Sequence, residues 1–253
     1  MDFFDYAHTL NIAHRGASRA APANTLAAFE KAVELGADGI EFDVHLSADG
    51  VPVVIHDFTV DATTDGSGRV AEMKLAQLEE LDAGSYFDPA FAGERIPTLE
   101  QVLEAVGERL LLNIELKSTS LRDNGLERAV IAQVERHGLD DRVILSSFNP
   151  LSLRRAKRDA PHIPTGLLYA LDLPLPLRRA WLAFLVPHEA RHPEHRMVDA
   201  RYMAWARRHG YRVNVWTVDD PDEMRRLIGL GVDSIITNVP GVLHEIFSPN
   251  QGT

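Results

Sequence analysis

Four short patterns in this chain put residues suited to proton transfer or cation binding at the ends of apolar runs. They are His14-Arg15-Gly16, Glu41-Phe42-Asp43, His56-Asp57 and Glu115-Leu116-Lys117. In an extended strand, side chains at i and i+2 point to one face. Glu41 therefore shares a face with Asp43, and Glu115 with Lys117. Buried carboxylates are costly unless paired or bound to a metal. Three of them converging from neighbouring strands make a hard oxygen site suited to Mg2+ or Ca2+. The same groups would also serve as a buried salt-bridge network closed by Arg15 and Lys117. His14 and His56 each end a strand-like run, and imidazole exchanges protons near neutral pH. A lone buried histidine is ordinarily structural, but two flanking a carboxylate cluster point to acid–base work. His8, His137 and His209 fall in helical or flanking contexts and are given no role. The chain holds 22 arginines and only 4 lysines. Retention of lysine at 117 hints that a compact point charge is wanted there, not a bidentate fork.

These residues need a scaffold that brings strand ends together. Short runs rich in Val, Ile and Leu recur at Asn11–His14, Gly39–Val44, Leu110–Leu116, Arg142–Ser146, Thr165–Tyr169, Ala183–Pro187, Arg212–Thr217 and Asp233–Thr237. Most read as buried strands. Amphipathic helical patterns separate them, as in Thr25–Leu35, where Leu26, Phe29, Val33 and Leu35 lie largely on one side. Gly36, Gly107, Gly138, Gly210 and Gly231 mark helix stops. Alternation of this kind implies a parallel sheet, and eight such units close into a (β/α)8 TIM barrel. The connection Ala170–Leu182 is the weakest, being short and holding Pro174 and Pro176. Pro52–His56 breaks the alternation. Only His45–Val51, with the turn signal Ser47-Ala48-Asp49-Gly50, separates it from the second strand, too little for a parallel crossover. It is expected to return antiparallel as a hairpin, carrying His56 toward the catalytic mouth. Residues 58–97 then form a small insertion with one short helix near Lys74–Asp82, expected to cap the active-site face. Residues 1–253 read as one catalytic domain.

Composition removes other classes. Hydrophobic residues at 45% and charged residues at 25% describe an ordinary globular domain and not a disordered one. The absence of cysteine excludes disulfides, a thiol nucleophile, iron–sulfur clusters and cysteine-ligated zinc. A net charge of −11 argues against a nucleic-acid partner. Residues 1–126 hold 22 acids against 9 bases, so the negative charge sits in the half containing the three carboxylates. The run Trp181–Pro187 is far shorter than the roughly 20 apolar residues needed to span a bilayer. The acidic N-terminus lacks the pattern of a signal peptide, so a cytoplasmic protein without stable membrane insertion is expected. Self-association into a homo-oligomer is left open.

Taken in order, His-Arg-Gly, Asn24-Thr25, Glu-x-Asp, Asp-Gly-x-x-Val-x-x-His-Asp, Glu-x-Lys, Ser147-Phe148, Val215-Trp216-Thr217 and the late Gly231–Asn238 strand resemble the glycerophosphodiester phosphodiesterase family. The intracellular bacterial members look most similar. The resemblance spans nearly the whole chain, including the segment after His-Asp. It implies a (β/α)8 barrel that hydrolyses glycerophosphodiesters, such as glycerophosphocholine or glycerophosphoethanolamine, to sn-glycerol 3-phosphate and an alcohol. It further implies Glu41, Asp43 and Glu115 as ligands of a divalent cation, Mg2+ or Ca2+, and His14 and His56 as the acid–base pair. Arg15 and Lys117 become phosphate contacts, Phe148 and Trp216 pocket walls, and Asn24 a substrate-side polar group. Asn24 has a second reading as the N-cap of the following helix. The family usually carries Pro-Glu-Asn-Thr where this chain has Pro22-Ala23-Asn24-Thr25, so a glutamate is missing from the first loop.

Overall fold

Eight parallel strands close on themselves: β1 (Leu10–His14), β2 (Gly39–Leu46), β4 (Leu111–Leu116), β5 (Val143–Ser147), β6 (Thr165–Tyr169), β7 (Ala190–Pro193), β8 (Arg212–Val215) and β9 (Ser234–Thr237). Pairing of β1 with both β2 and β9 completes the ring. The ninth strand, β3 (Pro52–Val54), pairs antiparallel with β2 through Val44 and Val54. This computed structural model describes residues 6–118, 121–178, 180, 183 and 186–248. Helices α1 (Leu26–Glu34), α2 (Leu75–Leu78), α3 (Leu99–Val106), α4 (Leu126–Arg136), α5 (Pro150–Asp159), α6 (Leu175–Arg178), α7 (Ala200–Arg208), α8 (Pro221–Leu230) and α9 (Pro240–Phe247) occupy the connections. The fold is a (β/α)8 barrel. No helix of the described residues is long and apolar enough to cross a membrane.

Packing follows the two periodicities. The outward faces of the strands meet the apolar stripes of the helices: Phe42, Leu112, Ile114 and Leu145 share one core with Phe29, Val102, Val106 and Val130. Leu10, Ile12, Leu111, Ile144, Ala190 and Ile236 form a separate cluster that fills the barrel interior. Thr25 caps α1 by accepting the Ala28 N–H, so the N-cap role expected for Asn24 belongs to its neighbour. The hairpin forms as expected. Val51 N–H donates to Ser47 Oγ and Ser47 N–H to the Val51 carbonyl, both at 2.9 Å, which tightens the turn.

Two expectations need correction. The sixth strand was expected at Ala183–Pro187, but the barrel strand there is β7, Ala190–Pro193. Ala183 and Val186 instead pack in a satellite cluster with Leu153, Leu167 and Tyr169, while residues 184 and 185 lie outside the described residues. The described part of the apolar run lies outside the barrel, and the strand that replaces it has Arg191 and His192 as its central residues. Both are buried because tertiary partners receive them. The Arg191 guanidinium lies 4.5 Å from the Tyr211 ring and 5.3 Å from that of Trp205, a cation–π stack on the helix side. His192 points inward over Gly166, where any Cβ would stand 2.2 Å from its Nε2. The short helix in the insertion is also briefer than expected, Leu75–Leu78. The Asp82 carboxylate instead collects the backbone N–H groups of Gly84, Ser85 and Gly93, which turns the chain.

Candidate active site

The first loop is held by unusual backbone geometry. Arg15 and Asn24 adopt left-handed φ values of 57° and 62°, and Gly16 lies between them at 80°. Each such non-glycine residue costs of order 1 kcal/mol or more, and the cost is tolerated where surroundings over-determine it. Here Arg15 N–H donates to the Glu41 carbonyl at 2.7 Å, and Asn24 N–H to the Arg15 carbonyl at 3.0 Å. At Gly16 a Cβ would meet the Ala28 backbone at 2.6 Å, so helix α1 packs directly on the loop. These contacts aim the Arg15 side chain across the barrel mouth.

Below it lies the carboxylate group. Glu41, Asp43 and Glu115 are all buried, and one oxygen from each lies within 4.8 Å of the others. Register explains the meeting: Asp43 pairs with Glu115, and Glu41 sits one pleat lower on the same inward face. Two cations stand against these three acids. Arg15 Nε lies 3.3 Å from Asp43 Oδ2, and Lys117 Nζ lies 3.3 Å from Asp43 Oδ1 and 3.0 Å from Glu115 Oε1. Burial pushes the Asp43 carboxyl up, but Lys117 and Arg15 outweigh it and hold it well below the usual range. Burial and the Asp43 charge lift Glu115 to about 7. Glu41 fares worst. Burial, then Asp43 and Glu115, push it well above its ordinary value, and its Oε2 has no hydrogen-bond partner. Among the described residues Lys117 and Arg15 thus pair with Asp43 and Glu115, while Glu41 faces only the neutral His14; Asp43 Oδ1, like Glu41 Oε2, makes no hydrogen bond. An orphaned, buried carboxylate oxygen beside two others is what a divalent cation would relieve, so the donor set fits the metal expected for it.

Both histidines border the cavity on which Glu41 and Glu115 open. His14 Nε2 lies 3.9 Å from Glu41 Oε2. Burial, reinforced by Arg15, lowers the His14 pKa to about 4, so the ring is neutral at pH 7. Its Nδ1 meets Asn238 Oδ1 at 2.7 Å, and that amide is held by Asp219. His56 Nδ1 instead faces a carboxylate, Asp57 Oδ1, at 2.6 Å. Burial lowers His56 as well, against the attraction of Asp43. Asn238 and Asp219 were not singled out from sequence. Asn238 was visible only as the end of the last strand motif, and its contact with His14 spans 224 positions.

A cavity of about 130 Å³ opens on these groups. His14, Arg15, Glu41, His56 and Glu115 form its polar side, and Phe148, Leu168, Trp216 and Ile236 its apolar side. Phe148 and Trp216 meet edge to face at 5.5 Å, and Trp216 Nε1 donates to the His192 carbonyl at 2.8 Å, which fixes the wall. Asp43, Lys117 and Asn24 stand beside this cavity and do not line it. Asn24 Nδ2 donates to Asp43 Oδ2 at 2.9 Å and so orients a carboxylate. A second, smaller cavity of about 30 Å³ adjoins at Arg15, Ala23 and His56, walled by Thr63, Ala83 and Ile96. At Ala23, where the glutamate is missing, the backbone N–H donates to the Tyr86 hydroxyl at 3.1 Å. The segment 58–97 therefore touches the first loop directly. The arrangement sets two imidazoles, one guanidinium and carboxylates able to hold a cation opposite an apolar wall, which with a cation bound would suit hydrolysis of a small phosphodiester.

Comparison with known proteins gives a consistent result. Residues 14–242 match the Glycerophosphoryl diester phosphodiesterase family. A protein of Caldanaerobacter subterraneus subsp. tengcongensis named glycerophosphodiester phosphodiesterase is 45% identical over 236 residues, which cover 93% of this chain and 96% of that one. Among solved structures, an Oleispira antarctica phosphodiesterase in complex with the product sn-glycerol-3-phosphate has a TM-score of 0.84 at 30% identity, covering 98% of this chain and 100% of that one. The glycerophosphodiester phosphodiesterase of Agrobacterium tumefaciens has a TM-score of 0.79 at 32% identity, covering 93% of this chain and 98% of that one.

Proposed function

The chain belongs to the glycerophosphoryl diester phosphodiesterase family, and from that membership we propose that it hydrolyses small glycerophosphodiesters, such as glycerophosphocholine, to sn-glycerol 3-phosphate and the free alcohol. The observation that carries the proposal is a cavity bordered together by His14, His56, Arg15, Glu41 and Glu115. The product named for the Oleispira relative, sn-glycerol-3-phosphate, supports the same reading. Glu41, Asp43 and Glu115 would hold Mg2+ or Ca2+, which when bound supplies Lewis-acid neutralisation of the phosphate oxygens. Arg15 borders the cavity and gives further positive charge to the anion, while Lys117 holds Asp43 and Glu115 in place.

The histidines divide the proton transfers. His14, neutral and seated against an uncharged amide, takes the proton of the nucleophile, which is water or the glycerol 2-hydroxyl. His56 rests on the Asp57 carboxylate, which supports its protonated form once an anionic substrate is present. It gives a proton to the leaving alcohol, which would otherwise depart as an alkoxide. Phe148, Leu168, Trp216 and Ile236 exclude water from the other side and pack the glycerol carbons. The insertion 58–97 caps the rim through the Tyr86 contact with Ala23 and borders the space for the alcohol.

The apolar side of the cavity is four side chains, Phe148, Leu168, Trp216 and Ile236, enough to cover the glycerol carbons of a small diester, so an acyl chain is expected to add no favourable contact there. The kcat/KM for glycerophosphocholine is therefore expected to exceed that for lysophosphatidylcholine by at least about tenfold, since each 1.36 kcal/mol of lost transition-state contact is a factor of ten. Choline release from both substrates under one set of conditions checks this. Equal or better turnover of lysophosphatidylcholine would move the substrate class to lysophospholipids.

A further inference from the structure

One polar assembly outside the cavity lining bears on the chemistry. Asn238 closes β9, and its side-chain oxygen meets both His14 Nδ1 at 2.7 Å and Ser18 Oγ at 2.8 Å. Its Nδ2 donates to Asp219 Oδ2 at 2.8 Å. The other Asp219 oxygen accepts the Asn238 N–H at 2.9 Å and the Thr237 hydroxyl at 3.2 Å. An ionised carboxylate only accepts hydrogen bonds, so the Asn238 amide has one workable orientation. Turned over, it would set its carbonyl oxygen against Asp219. In the orientation present, the oxygen facing His14 can only accept, so His14 must donate through Nδ1. The free lone pair of a neutral ring is then on Nε2, the nitrogen on the Glu41 side.

We propose that Asp219 and Asn238 are positioning residues that fix the tautomer of His14, Asp219 acting through the Asn238 amide. Asp219 sets the amide, the amide sets which imidazole nitrogen bears hydrogen, and the other nitrogen is thereby kept free to accept a proton. The inference rests on the reading of His14 as the proton acceptor. It adds two residues that do not line the cavity and that are held by the loop after β8 and the end of β9.

Asp219→Asn separates this role from a structural one. An amide at 219 still accepts the Asn238 N–H and the Thr237 hydroxyl, and the only ion pair lost among the described residues is that with the exposed Arg19 at 3.9 Å, which solvent screens. The amide at 219 presents N–H groups to Asn238, which turns over and offers its own NH2 to His14. The ring must then accept at Nδ1 and carry its hydrogen on Nε2. The test is the imidazole 15N–1H correlation spectrum of the Mg2+-loaded protein, with His14→Gln assigning the signal, alongside steady-state kinetics on glycerophosphocholine. The wild type is expected to carry hydrogen on Nδ1 and Asp219→Asn on Nε2. The variant's kcat is expected to fall by about 10²- to 10⁴-fold, with KM changed little, as when a catalytic imidazole is held in the wrong tautomer. The double variant Asp219→Asn/Asn238→Asp restores an acceptor opposite Nδ1 and is expected to recover the wild-type tautomer and most of kcat. Retention of the Nδ1–H form in Asp219→Asn overturns the proposal, as does an inverted tautomer with undiminished kcat. High activity of His14→Gln would instead refute the role of His14 itself, leaving the tautomer result as a separate fact.

Discussion

Alanine at position 14 or at position 56 is expected to lower kcat on glycerophosphocholine by about 10²- to 10⁴-fold each, the range carried by a positioned general acid or base. The two losses should not multiply in the double variant, because under the proposed assignment the residues would serve one proton circuit and act as a unit. Structure suggests why folding survives. His14 and His56 line the cavity and are only partly buried, and neither belongs to a hydrophobic cluster of the core. Far-ultraviolet circular dichroism and urea unfolding separate chemistry from collapse. Retention of most activity by either folded alanine variant would end the acid–base assignment for that residue.

Removal of divalent cations is expected to have the second large effect. Chelation should reduce turnover by more than about 100-fold, because a metal's stabilisation of transition-state charge is worth several kcal/mol and each 1.36 kcal/mol is tenfold. Readdition of Mg2+ or Ca2+ should restore it. An independent readout comes from stability. Glu41 Oε2 has no hydrogen-bond partner, and burial, then Asp43 and Glu115, push the group well above its ordinary pKa. A cation that satisfies it binds only the folded chain, and at 100 times its Kd would add about 2.7 kcal/mol. The melting temperature should therefore rise with cation concentration, and Glu41→Gln should abolish that rise. Full activity of the chelated protein, with no thermal shift, would leave the carboxylates with only the salt bridges to Arg15 and Lys117.

Much of this site was legible because it depends on strand periodicity. The i, i+2 spacing of Glu41 with Asp43, and of Glu115 with Lys117, needs only a strand to become a shared face. The hairpin returning to His56 followed from a connection too short for a crossover. What sequence concealed depends on tertiary partners. Strand β7 was misplaced because a buried Arg191 and His192 look like surface residues until Tyr211, Trp205 and Asn214 are set around them. The N-cap reading of Asn24 fails for a related reason: Thr25 takes the cap, which leaves Asn24 in a left-handed turn facing Asp43. Asp219 carries no local signal, and Asn238 none beyond its place at the end of the last strand motif. Their types suit many loops, and only ring closure between β1 and β9 brings them to His14.

The missing glutamate at position 23 also gains a physical setting. Ala23 leaves a small cavity beside Arg15, and the Tyr86 hydroxyl reaches the backbone there from the segment 58–97. The metal ligands proposed above do not include this position, so its loss leaves the carboxylate group intact.

The most direct measurement follows glycerophosphocholine by 31P nuclear magnetic resonance in the presence of Mg2+ or Ca2+. The diester signal should give way to that of sn-glycerol 3-phosphate with an equal amount of free choline. Accumulation of phosphocholine and glycerol, or an unchanged diester signal with either cation, would contradict the proposed reaction.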